Sequence, residues 1–288
     1  METKRLGGTD VMLPEIGLGC WKYRGGAEPL RHGVELGAFL LDTAEIYGTE
    51  ELVGAAISDI RDRVFIATKV SGRHLRHDEV LQAAEGSLKR LGTGVIDLYQ
   101  IHWPNPAVPI RETMRAMETL VDRGIVRYIG VSQFSTDELR AAQSAMNHYP
   151  IVSNQALYNL NARRIEMGLL DYCEKHQVTV IAYTPLDDGR LASLSNGRSR
   201  RMEVLAAIAA QTNKTMAQVA LNWCISHPSV IAIPKSNSVT RTAENCLASG
   251  WRLTPDQIEQ LDAAFSWKVE RVRALLGDFK RRVRPRLS

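Results

Sequence analysis

Asp97-Leu98-Tyr99-Gln100-Ile101-His102-Trp103 is a nearly continuous apolar run that stops on a histidine, and Pro104 then forbids its continuation as a ladder donor. The reading is a short buried strand that delivers an imidazole. Other segments end in the same way: Leu40-Leu41 runs into Asp42, Phe65-Ile66-Ala67-Thr68 into Lys69, and Ile129-Gly130-Val131 into Ser132-Gln133. Ile181-Ala182 likewise runs into Tyr183, and Ile231-Ala232-Ile233-Pro234 into Lys235-Ser236-Asn237. Apolar strands with polar C-terminal ends imply a buried parallel sheet carrying one polar set at one end.

Outward from that stretch, strands alternate with amphipathic helices. The expected strands are Ile16–Gly19, Phe39–Asp42, Val64–Lys69, Val95–His102, Val126–Ser132, Val152–Gln155, Thr179–Tyr183 and Val230–Pro234. Between them, Val80, Leu81, Ala84, Leu88 and Leu91 form one helical face closed by Gly92. Pro109 opens a helix whose Met114, Met117, Leu120 and Val121 face inward as core, closed by Gly124. Ser135 with Glu138, Thr215 with Gln218, and Thr254 with Gln257 have the spacing of capping boxes. Most strands return every ~25 to 30 residues, the length of a βα unit. The fold expected is a closed (β/α)8 TIM barrel across residues 1–288, with chemistry at the C-terminal strand ends. Gly7-Gly8-Thr9-Asp10 signals an N-terminal β-hairpin cap, and Thr254–Leu276 an extra C-terminal helix and tail. The stretch from Asp187 to Arg200 is rich in Gly, Ser, Asn and charge, and reads as a mobile loop over the mouth.

A chain of 288 residues with a net charge of +4 is long enough for one large core. Acidic and basic residues alternate, and only Lys280–Arg286 makes a basic run, so nucleic acid is not an expected partner. No window reaches the ~18 apolar residues of a membrane span, and Met1-Glu2-Thr3-Lys4-Arg5 opens on charge with no apolar segment behind it. Cys20, Cys173, Cys224 and Cys246 are widely spaced, as reduced core thiols are. These features point to a cytoplasmic protein that acts on a small molecule; they do not address oligomeric state. His74 and His77 lack companions that would complete a metal site and read as surface residues.

Asp42, Tyr47, Lys69 and His102 come from adjacent strand ends. Alone, each has a plain structural reading: Asp42 with Lys69 an ion pair, Tyr47 a surface phenol, His102 a satisfied barrel histidine. Together they are a proton-transfer set. A unit charge ~4 Å from a phenol at an effective dielectric of ~20 contributes ~4 kcal/mol, about three pKa units before screening. Lys69 is therefore expected to pull Tyr47 below its ordinary value, with Asp42 holding the ammonium and His102 hydrogen-bonding a substrate oxygen.

The same residues resemble the aldo-keto reductases, NADPH-dependent (β/α)8 carbonyl reductases, from about Lys4 to Asn245. Asp42-Thr43-Ala44-Glu45-Ile46-Tyr47-Gly48 followed by Glu50, Val53 and Gly54 is similar to the family's first signature, with Ala38 where an aromatic is usual. Ile66-Ala67-Thr68-Lys69 and Ile101-His102-Trp103-Pro104 match two further motifs. The resemblance implies a tetrad of Asp42, Tyr47, Lys69 and His102, with Tyr47 the general acid in reduction of an aldehyde or ketone. It implies that NADPH binds more tightly than NADH, and places its adenosine end on Lys235, Ser236, Asn237, Arg241, Glu244 and Asn245. Lys235, Ser236 and Arg241 suit a 2′-phosphate beside a helix that begins near Thr240. Tyr183 would stack on the nicotinamide, Ser132, Gln133 and Gln155 would hold its carboxamide, and Pro185 and Leu186 would lie along the cofactor. Cys20 and Trp21 fall at the first strand end, with Trp21, Tyr47, His102 and Trp103 around the substrate. No metal is implied. Two departures stand out: Gln133 replaces the usual Asn, and Asp187-Asp188-Gly189-Arg190 replaces Gly-rich backbone at the pyrophosphate. The alternative implied function is an NADPH-sensing regulatory subunit similar to potassium-channel β subunits.

Overall fold

The structure, a computed structural model, describes residues 1–194 and 199–266. A hairpin of β1 (Thr3–Arg5) and β2 (Met12–Pro14) precedes eight parallel strands in sequential spatial order. These are β3 (Leu18–Gly19), β4 (Leu40–Asp42), β5 (Phe65–Val70), β6 (Ile96–Ile101), β7 (Val126–Ser132), β8 (Ile151–Leu157), β9 (Thr179–Tyr183) and β10 (Val230–Ala232). The sheet closes on itself: Gly17 N–H donates to the Ala232 carbonyl at 2.8 Å, Ala232 N–H to Glu15 at 2.8 Å, and Gly19 N–H to Pro234 at 3.1 Å. At this seam a Cβ on Gly19 would fall 2.6 Å from the Ile233 carbonyl, so the closing strands require glycine there.

Alternation along β6 explains why its sequence is apolar on both faces. Leu98 points into the barrel, while Tyr99 and Ile101 pack outward under the helices. Leu40, Phe65, Leu98, Val152, Ile181 and Ile231 fill the lower interior, and Leu6 and Leu13 of the hairpin plug it from below. The plug is pinned by Lys4, whose Nζ donates to the carbonyls of His227 and Val230 at 2.8 Å each and lies 3.6 Å from Glu15. Gly7 makes the turn possible, at φ +55° with Val152 and Gln177 carbonyl oxygens where a side chain would go.

The helices follow their sequence punctuation. His77–Leu91 ends at Gly92 in the left-handed region, and Ile110–Asp122 begins after Pro109 with Met114, Met117 and Leu120 fully buried. The three expected capping boxes form with both reciprocal bonds. Two differences concern the mouth and the end of the chain. Of the expected loop from Asp187 to Arg200, Asp187–Ala192 is a kinked 3₁₀ turn, held by Asp187 N–H on the Thr184 carbonyl and Gly189 N–H on that of Leu186, and residues 195–198 lie outside the described residues. The last described helix is Pro255–Ala264; the rest of the expected Thr254–Leu276 segment and the Lys280–Arg286 run lie outside the described residues. Among the described residues no helix is long and apolar enough to cross a membrane.

The floor plug is testable. Leu13 is fully buried, so Leu13→Ala is expected to lower unfolding free energy by about 2–5 kcal/mol, read as a shifted urea midpoint at unchanged slope. A loss below about 1 kcal/mol would mean that the hairpin does not close the barrel.

Candidate active site

The polar set assembles because three neighbouring strands end at one level. Asp42 is the last residue of β4, Lys69 the penultimate residue of β5, and His102 follows β6. Tyr47 sits on a single 3₁₀ turn, Glu45–Tyr47, that leaves β4 and is stopped by Gly48 at φ +66°. Lys69 Nζ donates to Asp42 Oδ1 at 2.6 Å and to the Thr43 carbonyl at 2.8 Å, and lies 3.5 Å from the Tyr47 hydroxyl. That hydroxyl lies 3.3 Å from His102 Nε2. Asp42 Oδ2 accepts from Gln155 Nε2 at 2.8 Å and from Gln100 Nε2 at 3.3 Å.

Lys69 has no exposed surface and Asp42 almost none. Burial pulls the Lys69 pKa down, but Asp42 and then Tyr47 more than offset it, and the net direction is up. Lys69 is therefore a fixed cation. For Tyr47 the sequence expectation is reversed: burial raises its pKa by more than Lys69 lowers it, and Asp42 raises it further. The physical reason is first the burial of the phenol; Asp42, 2.6 Å from the Lys69 ammonium, then offsets part of the cation's downward pull. Burial, then the charge of Lys69, pushes His102 down from 6.5 to about 3, so its imidazole is neutral at physiological pH. His102 Nδ1 is buried without a partner. The proton is better placed on Nε2, which faces the Tyr47 oxygen.

A cavity of about 810 Å³ opens over this set, toward the upper end of the volumes typical of small-molecule sites. Asp42, Tyr47 and His102 line its inner end with Cys20, Trp21, Ser132, Gln133 and Gln155, while Lys69 stands behind them. Tyr183, Pro185 and Leu186 line its middle. Lys235, Ser236, Asn237, Arg241, Glu244 and Asn245 line its outer end. Trp103 is the exception: it packs on the His102 ring at 4.9 Å and over Gly72, where a Cβ would come within 2.1 Å of its indole nitrogen, and does not line the cavity. Gln155 faces the cavity but spends its amide N–H on Asp42. Gln133 is exposed, at φ +62°, with Nε2 on the His102 carbonyl at 3.2 Å. Asn tolerates that left-handed conformation better than Gln, so the replacement is a strained one.

Sequence reasoning missed Lys22, Ile46 and Thr184, which also line the cavity, as does Asp188, which the sequence already placed near the pyrophosphate. Their common signal is conformational rather than chemical, since Lys22, Thr184 and Asp188 all hold φ near +52° without being glycine. The acidic pair divides. Asp187 turns aside, accepting from Asn161 Nδ2 at 2.9 Å and lying 3.5 Å from Arg190, whereas Asp188 stays on the cavity wall.

At the outer end the helix Val239–Cys246 begins one residue before the expected start, and its cap residue Ser238 makes no side-chain bond to the first turn. Ser236 is engaged with the Ser238 backbone at 3.0 and 3.1 Å, and Asn237 Oδ1 accepts from Arg24 N–H at 3.0 Å. Lys235 and Arg241 are exposed on the rim. A cavity lined by an uncapped helix start with Lys235 and Arg241, and by the amides of Gln133 and Gln155 beside a phenol, fits the donor set that a phosphorylated dinucleotide requires.

The sequence model of the aldo/keto reductase family matches residues 15–265. Methylglyoxal reductase YeaE of Escherichia coli (strain K12) is 36% identical over 266 residues, which is 89% of this chain and 92% of that protein. Among solved structures, the thermostable aldo-keto reductase Tm1743 in complex with the inhibitor epalrestat has a TM-score of 0.86 at 39% identity, covering 92% of this chain and 100% of that one. An aldo/keto reductase from Klebsiella pneumoniae in complex with NADP and acetate has a TM-score of 0.83 at 36% identity, covering 92% and 96%.

The buried ion pair gives a stability prediction. Asp42→Asn leaves the Lys69 ammonium without a counter-charge and is expected to cost about 3–5 kcal/mol. Asp42→Asn combined with Lys69→Met should recover most of that loss, measured as a double-mutant cycle by urea unfolding. Additive losses in the double variant would show that the two groups do not depend on each other.

Proposed function

We propose, from the premise that this chain belongs to the aldo/keto reductase family, that it reversibly transfers hydride between NADPH and an aldehyde or ketone, with Tyr47 as proton donor. The observation that carries the reading is the Tyr47 hydroxyl, held at the cavity between Lys69 Nζ at 3.5 Å and His102 Nε2 at 3.3 Å. When bound, the nicotinamide supplies the hydride. The chain's own residues manage the proton.

Lys69 and the Nε2–H of neutral His102 both donate toward the phenol oxygen, which leaves the phenol's own hydrogen as the one group free to turn into the cavity. A carbonyl oxygen placed there accepts that hydrogen bond in the ground state and the proton as negative charge develops. The phenolate that forms is stabilised by the two donors already in place. Asp42 keeps Lys69 oriented, and Gln155 and Gln100 keep Asp42 oriented. Ser132, Gln133 and Gln155 are assigned to the carboxamide and Tyr183 to the ring face. Lys22, Lys235 and Arg241 are assigned to the phosphates, with Asp187 turned aside. Trp21, whose ring centroid lies 4.7 Å from that of Tyr47, and the exposed Ile46 leave an open apolar mouth. A small aldehyde such as methylglyoxal, for which the Escherichia coli relative is named, suits such a mouth.

Three outcomes follow from these assignments. NADPH should bind more tightly than NADH, and Arg241→Ala should narrow the gap mainly by weakening NADPH, measured by fluorescence titration; equal dissociation constants in the parent protein would remove the assignment. Because Tyr47 ionises above its ordinary value of 10.0 and His102 only near 3, reduction should show no titration between pH 6 and 8. A step centred near 6.5 in kcat/KM would mean that a charged His102 takes part. Tyr47→Phe should bind cofactor normally while turnover falls by roughly 10²-fold or more. Near-parental turnover would assign the proton to another group.

A further inference from the structure

Tyr47 stands on one turn of 3₁₀ helix, too short to fix a phenol by its own backbone bonds. Besides the contacts of the phenol itself, the turn has a long tether at Glu45. Glu45, two residues before Tyr47, has a carboxylate only 9% exposed. Its Oε1 accepts the Ser71 N–H at 2.5 Å and the His74 Nδ1–H at 3.0 Å. Ser71 directly follows β5, the strand that carries Lys69. The loop it begins is itself tied onward: the Gly72 carbonyl accepts from Asn105 Nδ2 at 2.8 Å, and Trp103 covers Gly72. Both Asn105 and Trp103 belong to the segment that follows His102. One chain of contacts thus runs from the Tyr47 turn, through Glu45, to the loops behind Lys69 and His102. None of Glu45, Ser71, Gly72, His74 and Asn105 lines the cavity.

We propose that Glu45 is the positioning residue for Tyr47, locking the turn that carries the phenol to the loop after the Lys69 strand. The inference rests on Tyr47 being the proton donor. It extends that reading by assigning the alignment of the donor to a carboxylate that touches neither substrate nor cofactor. Without the carboxylate the Ser71 N–H loses its acceptor in a residue that is 1% exposed, and the loop must shift to find another. A displacement of the order of 1 Å at a proton donor can cost about 10²-fold in rate. The function asked of Glu45 is acceptance rather than charge, since both its partners are donors. Gln, whose amide oxygen reaches as far, should therefore replace it, and Ala should not.

The experiment compares Glu45→Ala, Glu45→Gln and Tyr47→Phe for NADPH-dependent turnover of methylglyoxal, NADPH dissociation constant and thermal midpoint. The expected result is a kcat at least tenfold lower in Glu45→Ala, with the NADPH constant within twofold of the parent and the protein folded at the assay temperature. Glu45→Gln should stay within about threefold of parental kcat. Parental turnover in Glu45→Ala, or equal losses in the Ala and Gln variants, would overturn the proposal. So would a loss matched by a fall in the folded fraction. If Glu45→Ala does not fold, Glu45→Asp decides, because its carboxylate is one methylene short of both donors: reduced kcat supports the proposal and parental kcat ends it. Tyr47→Phe separates the two levels of inference. An inactive Tyr47→Phe beside a fully active Glu45→Ala defeats only the role of Glu45, whereas an active Tyr47→Phe defeats the proton-donor reading itself.

Discussion

Lys69 and Asp42 form an ion pair 2.6 Å long with essentially no solvent contact, and the geometry of the site depends on it. Taking two charges out of water is expensive, and their attraction repays the cost only where further hydrogen bonds satisfy the remaining lone pairs and protons. Those bonds are present. Asp42 takes Gln155 and Gln100 on its second oxygen, and Lys69 reaches the Thr43 carbonyl. With the pair so fixed, Lys69 lies 3.5 Å from the Tyr47 hydroxyl. The pair also sets a limit. Because burial outweighs the Lys69 charge and Asp42 offsets part of that charge, the Tyr47 pKa lies above its ordinary value and the phenol is protonated at rest.

The barrel supplies what such a pair requires, a dry interior open at one end. Its lower half is filled by apolar side chains from six strands and plugged by Leu6 and Leu13. Its upper half carries the polar set. Along β6 and the residue that follows it, the change from floor to site runs from Leu98 through Gln100 to His102, all inward-facing by the twofold strand period. The low pKa of His102, held down first by burial and then by the Lys69 charge, is thus a property of its height in the barrel.

Architecture was legible because it rests on local patterns. Strands that end on polar residues, helices closed by Gly92 and Gly124, and reciprocal caps at Ser135, Thr215 and Thr254 are short-range signals, and each was realised. The convergence of Asp42, Tyr47, Lys69 and His102 was legible too, because parallel strands in sequential order bring their ends to one level. Electrostatics was less so. The direction of the Tyr47 shift depends on how deeply the phenol is buried and how closely Asp42 approaches Lys69, and neither can be read from spacing. Trp103 was misplaced for a related reason. A tryptophan beside a site histidine has two faces of barrel to choose between, and the open space over Gly72 decides the matter.

The mouth was the hardest part to read, because its identity lies in the backbone. Lys22, Gln133, Thr184, Asp187 and Asp188 hold positive φ, all at or near the cavity, and of these only the two Asp are a type that composition would nominate for a left-handed conformation. Such conformations cost of order 1–3 kcal/mol each and persist only where the surroundings enforce them. Here the enforcement is visible in part: Gln133 N–H is bound to the Gln155 carbonyl at 2.8 Å, and Asp187 N–H to Thr184 at 3.0 Å. At Gln133 the conformation carries the side chain over the His102 carbonyl, and at Asp187 the turn carries the carboxylate away toward Asn161. Backbone conformation at the rim therefore does what residue type alone does not: it sets the Gln133 amide on the His102 carbonyl and turns Asp187, one of two adjacent acids, off the cavity wall.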